Sequence, residues 1–181
     1  MNEAEIIYNC KKQHAASQKY LYNLYAGKML SVCMRYITNK AEAEDVLQEG
    51  FIKIFANIIH FREEGSFEGW MRRIFVNTAL SALRVKQLKF SESIDNHINQ
   101  SQVNPSVFDK IGAQEIFDVI RTLPNGYRVV FNLFAIEGYS HKEIAAMLNI
   151  TESTSRTQFL KARNVLKEKF LSKQIMKVTH E

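Results

Sequence analysis

The stretch HKEIAAMLNITESTSRTQFLKAR, residues 141–163, carries two helical patterns separated by a short break. Ser140 and Glu143 at its start have the spacing of a capping box, in which each side chain satisfies a free backbone N–H group of the first turn. The apolar periodicity then stops over residues 149–151, and Thr151 is a suitable N-cap for a second helix. The sequence therefore predicts two helices joined by a tight turn.

The second helix of this segment has an apolar face and a polar, cationic face. The positions that must point inward recur at helical spacing and are Phe159, Ala162, Leu166 and Phe170. The polar face is concentrated in the first turns and comprises Ser153, Arg156, Thr157 and Lys161. Such a helix, crossing a shorter one, is typical of a helix-turn-helix motif that enters the major groove of DNA. An amphipathic hairpin with a solvated outer face is the alternative interpretation.

The composition describes a helical protein that can bury a core. Of 181 residues, 46% are hydrophobic and 24% are charged, and only two are proline and seven are glycine. No segment alternates apolar and polar residues over the length of a strand. The net charge of +5 permits a nucleic-acid partner without requiring one. From His141 onward, eight Lys and Arg residues stand against four Glu, so most of the excess charge lies in the last part of the chain.

The cysteine content and the apolar runs bear on location. Cys10 and Cys33 are too few for a disulfide framework, which favours a reduced, intracellular protein. The N-terminus lacks the pattern of a signal peptide, and no apolar run reaches the length that spans a membrane. We therefore expect a cytoplasmic protein without membrane insertion.

Two helical blocks flank a change in composition. The first block is strongly periodic and rich in aromatic residues, whereas KFSESIDNHINQSQVNPSVFD, residues 89–109, is rich in Ser, Asn and Gln. Helical periodicity resumes near residue 111. We predict an all-α protein with two small helical domains, residues 1–88 and 111–181, and a flexible linker, residues 89–110.

One long helix of the first block has two distinct faces. In KAEAEDVLQEGFIKIFANI, residues 40–58, the core stripe is Ala43, Leu47, Phe51, Ile54 and Ile58. A second stripe is mainly acidic and polar, and it consists of Asp45, Gln48, Glu49, Ile52 and Lys53. A solvated face is the ordinary explanation of this second stripe, and a surface that binds a partner is the functional one.

The next helix combines aromatic and cationic residues. Gly65-Ser66 predicts a loop that ends at an N-cap, before the helix SFEGWMRRIFVNTALSAL. Away from its apolar positions, this helix presents Trp70, Arg73, Asn77 and Arg84. Packing plus solvated charge would explain these residues. The functional alternative is binding of single-stranded nucleic acid, where stacking and phosphate contacts combine.

Nothing in the sequence indicates catalytic chemistry. The five histidines are scattered, and each is expected at the surface or at a helix end. No glycine-rich phosphate loop, HExxH motif or paired-cysteine metal spacing occurs. We predict no catalytic residues, no metal site and no cofactor.

In their order along the chain, these motifs resemble the bacterial sigma-70 superfamily, specifically its two-domain extracytoplasmic-function group. The matching segments are Tyr20-Leu21 to Arg35-Tyr36-Ile37, AEDVLQEGFIKIF, SFEGWMRRIFVNTALSAL, LPNGYRVVFNLFAIEGYSHKEIAAML and TSRTQFLKAR. The resemblance covers nearly the whole chain except the first dozen residues, the linker and the tail. It implies a region 2-like first domain and a region 4-like second domain.

The resemblance implies a partner for each polar face. The clamp helices of core RNA polymerase would contact Asp45, Gln48, Glu49 and Ile52. The −10 promoter element, bound as a single strand, would contact Phe61, Ser66, Phe67, Trp70, Arg73 and Asn77. The duplex −35 element would contact Ser153, Arg156, Thr157, Leu160 and Lys161.

Several positions depart from the usual pattern of the family. Gln158 and Lys161 stand where members often carry Arg, and Lys offers a point charge instead of a bidentate fork. Ser155 stands where a β-branched apolar residue is common, which predicts looser packing under the helix. Glu63-Glu64 add negative charge to the loop, which favours reading of a base over attraction to phosphate.

The resemblance implies a transcription initiation factor without catalytic activity. It would bind core polymerase, direct it to −35/−10 promoters and help to open the −10 region, and an anti-sigma factor would be its regulatory partner. The first alternative is a free-standing helix-turn-helix regulator that acts without polymerase. A nucleic-acid-modifying enzyme would require an acidic or Cys/His cluster in the first block, which the sequence lacks.

Overall fold

The computed structural model describes residues 2–92 and 113–178, and every regular element in these two ranges is helical. The prediction of an all-α fold is therefore confirmed. The elements are α1 (Glu3–Lys11), α2 (Ala15–Tyr36), α3 (Lys40–Asn57), a 3₁₀ turn (Ile58–His60), α4 (Phe67–Glu92), α5 (Ala113–Arg121), α6 (Asn125–Phe131), a π-helical turn (Asn132–Ile136), α7 (His141–Leu148) and α8 (Glu152–Val178).

Helices α1–α4 form one compact unit and α5–α8 form a second. Helix α4 continues through Glu92, so it extends past residue 88, where we placed the end of the first domain. The rest of the predicted linker, residues 93–110, lies outside the described residues.

Local hydrogen bonds define where the helices of the first unit begin. The side chain of Asn39 accepts a hydrogen bond from the backbone of Glu42 at 3.1 Å, at the start of α3. Ser66 Oγ accepts one from the Gly69 N–H group at 3.1 Å, which confirms the predicted N-cap of α4. Each bond satisfies a backbone donor that has no partner within its helix. The predicted core stripe of α3 is buried along its whole length.

Helices α3 and α4 approach closely at Gly50. A Cβ atom on Gly50 would lie 2.2 Å from Cε1 of Phe75, whose side chain is fully buried. The ring of Phe75 also lies edge-on to Phe51, with ring centroids 5.2 Å apart. The absent side chain of Gly50 is therefore what allows the Phe75 ring to lie against α3.

The second unit combines an apolar cluster with one buried cation. Val119, Ile120 and Leu123 pack with Ala162 and Leu166 of α8, which confirms that these two positions face inward. Phe159 is half-buried, and the side chain of Phe170 lies outside the described part of the chain.

Arg128 is buried beside this cluster and connects α5 to α6. Its guanidinium donates to the backbone oxygens of Arg121 and Leu123, each at 3.3 Å, and to Asn125 Oδ1 at 2.7 Å. Burial lowers the pKa of Arg128, because it disfavours the charged form. These hydrogen bonds compensate for the lost hydration of the guanidinium and secure the turn between the two helices.

The two halves of the opening stretch fold as predicted. Ser140 Oγ accepts from the Glu143 N–H group, and the Glu143 carboxylate accepts from the Ser140 N–H group at 2.8 Å. Asn149 adopts a left-handed conformation with φ of 54°, which ends α7. Thr151 Oγ1 then accepts from the Thr154 N–H group at 3.0 Å, at the start of α8.

Replacement of Gly50 by Ala should destabilise the first unit by about 1–3 kcal/mol, because the Phe75 ring has to move out of a packed core. Gly27→Ala is the matched control, since nothing lies within 4 Å of a Cβ at that helical position. It should stabilise the unit by about 0.5–1 kcal/mol through helix propensity. Urea unfolding followed by the fluorescence of Trp70, which lies in this unit, measures both effects. Equal stability of the two variants would contradict the close approach.

Candidate functional site

The second stripe of α3 is exposed, as its sequence pattern predicts. Asp45, Gln48 and Glu49 are exposed, and so is the apolar residue Ile52, at 69%. Gln48 Nε2 donates to the Tyr22 hydroxyl at 3.1 Å. Helix α2 thus holds one polar member of the stripe in place beside the exposed isoleucine.

The loop before α4 is built on a cluster of aromatic rings. Phe61 and Phe67 are 7% and 2% exposed, with ring centroids 5.1 Å apart. Trp70 is half-buried, and its ring centroid lies 5.4 Å from that of Phe61 and 5.6 Å from that of Phe67. The two phenylalanines were expected at the promoter surface, but they lie in the interior, where their rings contact each other and Trp70. Ser66 is exposed, and its hydroxyl is engaged as the N-cap of α4.

A groove of about 550 Å³ lies between α3 and α4, next to Trp70. From α4 it is lined by Trp70, Ile74, Asn77, Thr78 and Ser81. From α3 and the turn after it, the lining residues are Lys53, Asn57 and His60. Its walls therefore offer an aromatic face, amide and hydroxyl groups, and one ammonium group. Arg73 is exposed on the same helix but is absent from the lining of this groove.

The sequence pattern places Lys53 on the second stripe of α3, but it does not show that Lys53 also lines the groove. Lys53 Nζ forms an ion pair with Glu49 and donates to Thr78 Oγ1 at 3.3 Å. Glu49 and Lys53 are four residues apart, which places them one above the other on the same face of α3. No sequence signal indicated Asn57 or Thr78, because the groove forms only when two helices pack.

The N-terminal part of α8 presents a polar surface. Ser153, Thr157 and Lys161 are exposed, as is 56% of Leu160. The guanidinium of Arg156 forms an ion pair with Glu152, one turn earlier on the same helix. All five residues that the resemblance assigns to the −35 element therefore lie outside the core.

Comparison with known proteins identifies the family. Family models of sigma-70 region 2 and sigma-70 region 4 match residues 21–88 and 113–166. The ECF RNA polymerase sigma-E factor of Escherichia coli is 30% identical over 162 residues, which cover 80% of this chain and 82% of that protein. The chain belongs to the extracytoplasmic-function (ECF) group of the sigma-70 family.

Other relatives agree with this assignment. The RNA polymerase sigma-H factor of Pseudomonas aeruginosa is 28% identical over 156 residues, with 78% of this chain and 80% of that protein covered. The sigma factor RpoE of Bartonella quintana, solved with the anti-sigma factor NepR, matches with a TM-score of 0.57 at 21% identity. The match covers 83% of this chain and 94% of the solved chain. At that identity the solved structure shows a shared fold.

As an ECF sigma factor, the chain is a transcription initiation factor that binds core RNA polymerase and promoter DNA. The match to region 2 does not favour a free-standing helix-turn-helix regulator. Sigma-70 factors are a non-enzymatic family.

Among the described residues there is no group of three or more His, Cys, Asp or Glu suited to a metal ion. The described helices also include none that is long and apolar enough to cross a membrane.

The helix-turn-helix of this sigma factor contains a buried polar contact that corrects the expectation for Ser155. Ser155 is fully buried, and its Oγ lies 2.9 Å from Nδ1 of His141. The His141 ring stacks on Phe134 of the π-helical turn, with centroids 4.3 Å apart and planes 13° apart. His141 lies at a helix end, as expected, and is buried there. Ser155 forms a hydrogen bond at this site and does not leave it loosely packed. Burial lowers the pKa of His141, as does the charge of Arg156, and both disfavour the protonated ring.

Ser155→Ala should destabilise the second unit by about 1–2 kcal/mol, because Nδ1 of His141 loses its buried partner. In the double variant His141→Phe/Ser155→Ala, an apolar ring can keep the stack on Phe134, so most of that loss should be recovered. Hydrogen exchange of the backbone amides in α7 and α8 measures stability in this unit. If the loss of stability in the double variant equals the sum of the losses in Ser155→Ala and His141→Phe, a direct bond between the two side chains is contradicted.

Proposed function

We propose that this sigma factor uses three surfaces: the α3 stripe for core polymerase, the Trp70 surface for the −10 element, and the start of α8 for the −35 element. The observation that carries the proposal is the half-exposed Trp70, which lies on buried aromatic rings at the edge of a polar groove. An aromatic face held rigidly beside amide and cationic groups suits unstacked bases and their phosphates.

The α3 stripe supports docking on core polymerase through its mixture of charge and apolar surface. Asp45 and Glu49 provide negative charge, which would steer the approach of a basic surface. Ile52 is 69% exposed and provides the apolar area that a stable interface desolvates at its centre. The stripe lies opposite the buried positions of α3, so substitutions in it leave the core intact.

The double variant Asp45→Arg/Gln48→Ala should weaken binding to core polymerase by roughly tenfold or more, because it reverses one charge and removes one polar contact. Glu5→Arg on α1 is the control, since it makes the same change of charge at an exposed site outside the stripe. Competition with a labelled sigma factor for core polymerase measures affinity. Unchanged competition by the double variant, with an unchanged melting temperature, would contradict the docking assignment.

The Trp70 surface is assigned to single-stranded −10 DNA. Base stacking on an aromatic side chain contributes about 1–3 kcal/mol, which is comparable to the cost of unstacking one base from a duplex. Asn77 lines the same groove as Trp70 and offers both a donor and an acceptor for a base edge. Arg73 is exposed on the same helix and can contact phosphate.

Trp70→Ala and Asn77→Ala should each reduce open-complex formation on duplex promoters by roughly tenfold. The defect should shrink on templates that are already mismatched at −10, because the unstacking cost has been removed. Val85→Ala on the exposed part of the same helix is the control. Permanganate footprinting detects the melted bases. Normal melting of duplex promoters by both variants would show that this surface does not take part in opening.

The start of α8 is assigned to the −35 major groove. Small polar residues there allow close approach to the DNA backbone, and the positive end of the helix dipole favours phosphate. Arg156 can pair with a guanine edge through two donors, once it exchanges its contact with Glu152 for the base. Lys161 lies two turns after Ser153 along α8, and this position suits a contact with phosphate.

Arg156→Ala should cost about 1–3 kcal/mol of holoenzyme binding and relax the preference at one base position of the −35 element. Lys161→Ala should instead weaken binding to all −35 sequences alike and lower the salt slope by about one unit. Binding of the two holoenzymes to a library randomised at −35 separates these outcomes. A preference profile identical to wild type in Arg156→Ala would exclude base reading by this residue.

We infer the regulation and the location of the protein from its family. The solved Bartonella relative is bound to an anti-sigma factor, and we infer a partner of the same kind for this chain. We also infer that the protein acts in the cytoplasm, where RNA polymerase transcribes, and that it has no catalytic activity of its own. Co-purification with a tagged copy of the chain, followed by mass spectrometry, tests the inferred partner.

A further inference from the structure

Helix α1 lies before the segment matched by sigma-70 region 2, which begins at residue 21. It is nevertheless an integral part of the first unit, because Ile6, Ile7 and Cys10 are buried. The hydroxyl of Tyr25 in α2 also donates to the Glu3 carboxylate at 2.8 Å. The helix is thus held against the unit at both of its ends, and its last residue is Lys11.

Lys11 contacts the loop that precedes α4. Its Nζ donates to the backbone oxygen of Phe61 at 3.0 Å and lies 3.5 Å from the Glu63 carboxylate. Phe61 directly follows the 3₁₀ turn, at a helix end where carbonyl groups lack helical partners and a cation is favourable. Only 23% of the Lys11 side chain is exposed, so this hydrogen bond is partly shielded from water.

The loop needs such an anchor because its backbone is strained. The strained residue is Glu63, which has a φ of 62°, a conformation that non-glycine residues rarely adopt. Strained conformations persist only where surrounding contacts hold them. Besides Lys11, Gln13 donates from the α1–α2 corner to the Phe55 oxygen at 3.4 Å, near the end of α3. The N-terminal segment therefore contacts the chain at two places, near the end of α3 and within the loop.

The position of Phe61 determines how Trp70 is supported. The Phe61 ring contacts both Phe67 and Trp70, and the Lys11 ammonium lies 5.9 Å from its centroid. A shift of the Phe61 backbone would therefore move one of the two rings beneath the tryptophan.

We propose that Lys11 is a positioning residue for promoter opening: its hydrogen bond to the Phe61 oxygen and its ion pair with Glu63 hold the aromatic rings that present Trp70 to the −10 strand. This inference rests on the proposed role of Trp70 in opening. It assigns to α1 a part in −10 recognition, although α1 lies outside the matched region 2 segment.

The chain offers a matched control at the next position. Lys12 has the same charge and the same side chain, but its Nζ lies 4.2 Å from the ring centroid of Tyr8 on α1 itself. Lys11→Met and Lys12→Met therefore remove equal charge, but only Lys11→Met removes a contact to the loop. Lys11→Arg restores a cationic donor of similar length, and Lys11→Gln provides a neutral, polar second variant.

The first arm of the test uses the fluorescence of Trp70, the single tryptophan of the chain. In the free full-length protein, Lys11→Met should increase quenching of Trp70 by acrylamide and shift its emission, whereas Lys12→Met should match wild type. Lys11→Arg should return both signals towards wild type, and Lys11→Gln should fall between. Melting temperatures are recorded for every variant, so that a general loss of folding is recognised. Identical Trp70 signals in Lys11→Met, Lys11→Gln and Lys12→Met would overturn the proposal.

The second arm measures opening by holoenzymes reconstituted with core polymerase. Lys11→Met should form roughly threefold to tenfold fewer open complexes on duplex promoters, the effect of losing one hydrogen bond of ordinary net strength. Binding to core polymerase should be unchanged, and Lys11→Arg should recover most of the activity. Suppose that Trp70→Ala is defective but Lys11→Met opens promoters as well as Lys12→Met does. The role of Lys11 is then refuted, whereas the −10 assignment of Trp70 stands. If Trp70→Ala itself opens promoters normally, the −10 assignment is refuted together with this inference.

Discussion

The packing of α3 against α4 at Gly50 sets the geometry of two of the proposed surfaces. Because Gly50 has no side chain, the Phe75 ring lies directly against α3, and the two helices form the walls of one groove. The same packing turns the opposite side of α3 outward, with Ile52 exposed. One helix can therefore serve two of the proposed surfaces, a polymerase stripe on one side and part of the −10 groove on the other.

The arrangement of the helices in the second unit depends on buried hydrogen bonds as well as on apolar packing. Arg128 secures the turn from α5 to α6, and the contact of His141 with Ser155 joins the first residue of α7 to the first turns of α8. A buried polar group without its partner raises the free energy of the folded state. Such bonds therefore favour one arrangement of the helices over similar arrangements in which the bonds are broken. The orientation of the proposed recognition surface thus depends on side chains beneath it that cannot reach DNA.

Features that depend on a few consecutive residues could be predicted from the sequence. The capping box at Ser140, the N-cap at Ser66 and the buried stripe of α3 follow from local hydrogen bonding and from helical periodicity. The matches to the two sigma-70 regions agree with the family that was inferred from motif order.

Features that depend on contacts between distant residues could not be predicted in this way. Phe61 was interpreted as a promoter contact, but the direction of a loop aromatic is set by α1 and α4, which pack around it. Ser155 was interpreted as a packing defect, because its partner His141 lies fourteen residues away on another helix. Lys53 reaches Thr78 across an interface that helical periodicity does not describe.

Reconstitution with core RNA polymerase, followed by mapping of transcription starts on a promoter library, tests most directly whether the three surfaces act together. The chain plus core polymerase should start transcription at sites that share one −35 element and one −10 element at a fixed spacing, and neither component alone should do so. Tight, sequence-selective binding of a duplex operator by the chain alone, with no change in the start sites of the polymerase, would contradict this mechanism.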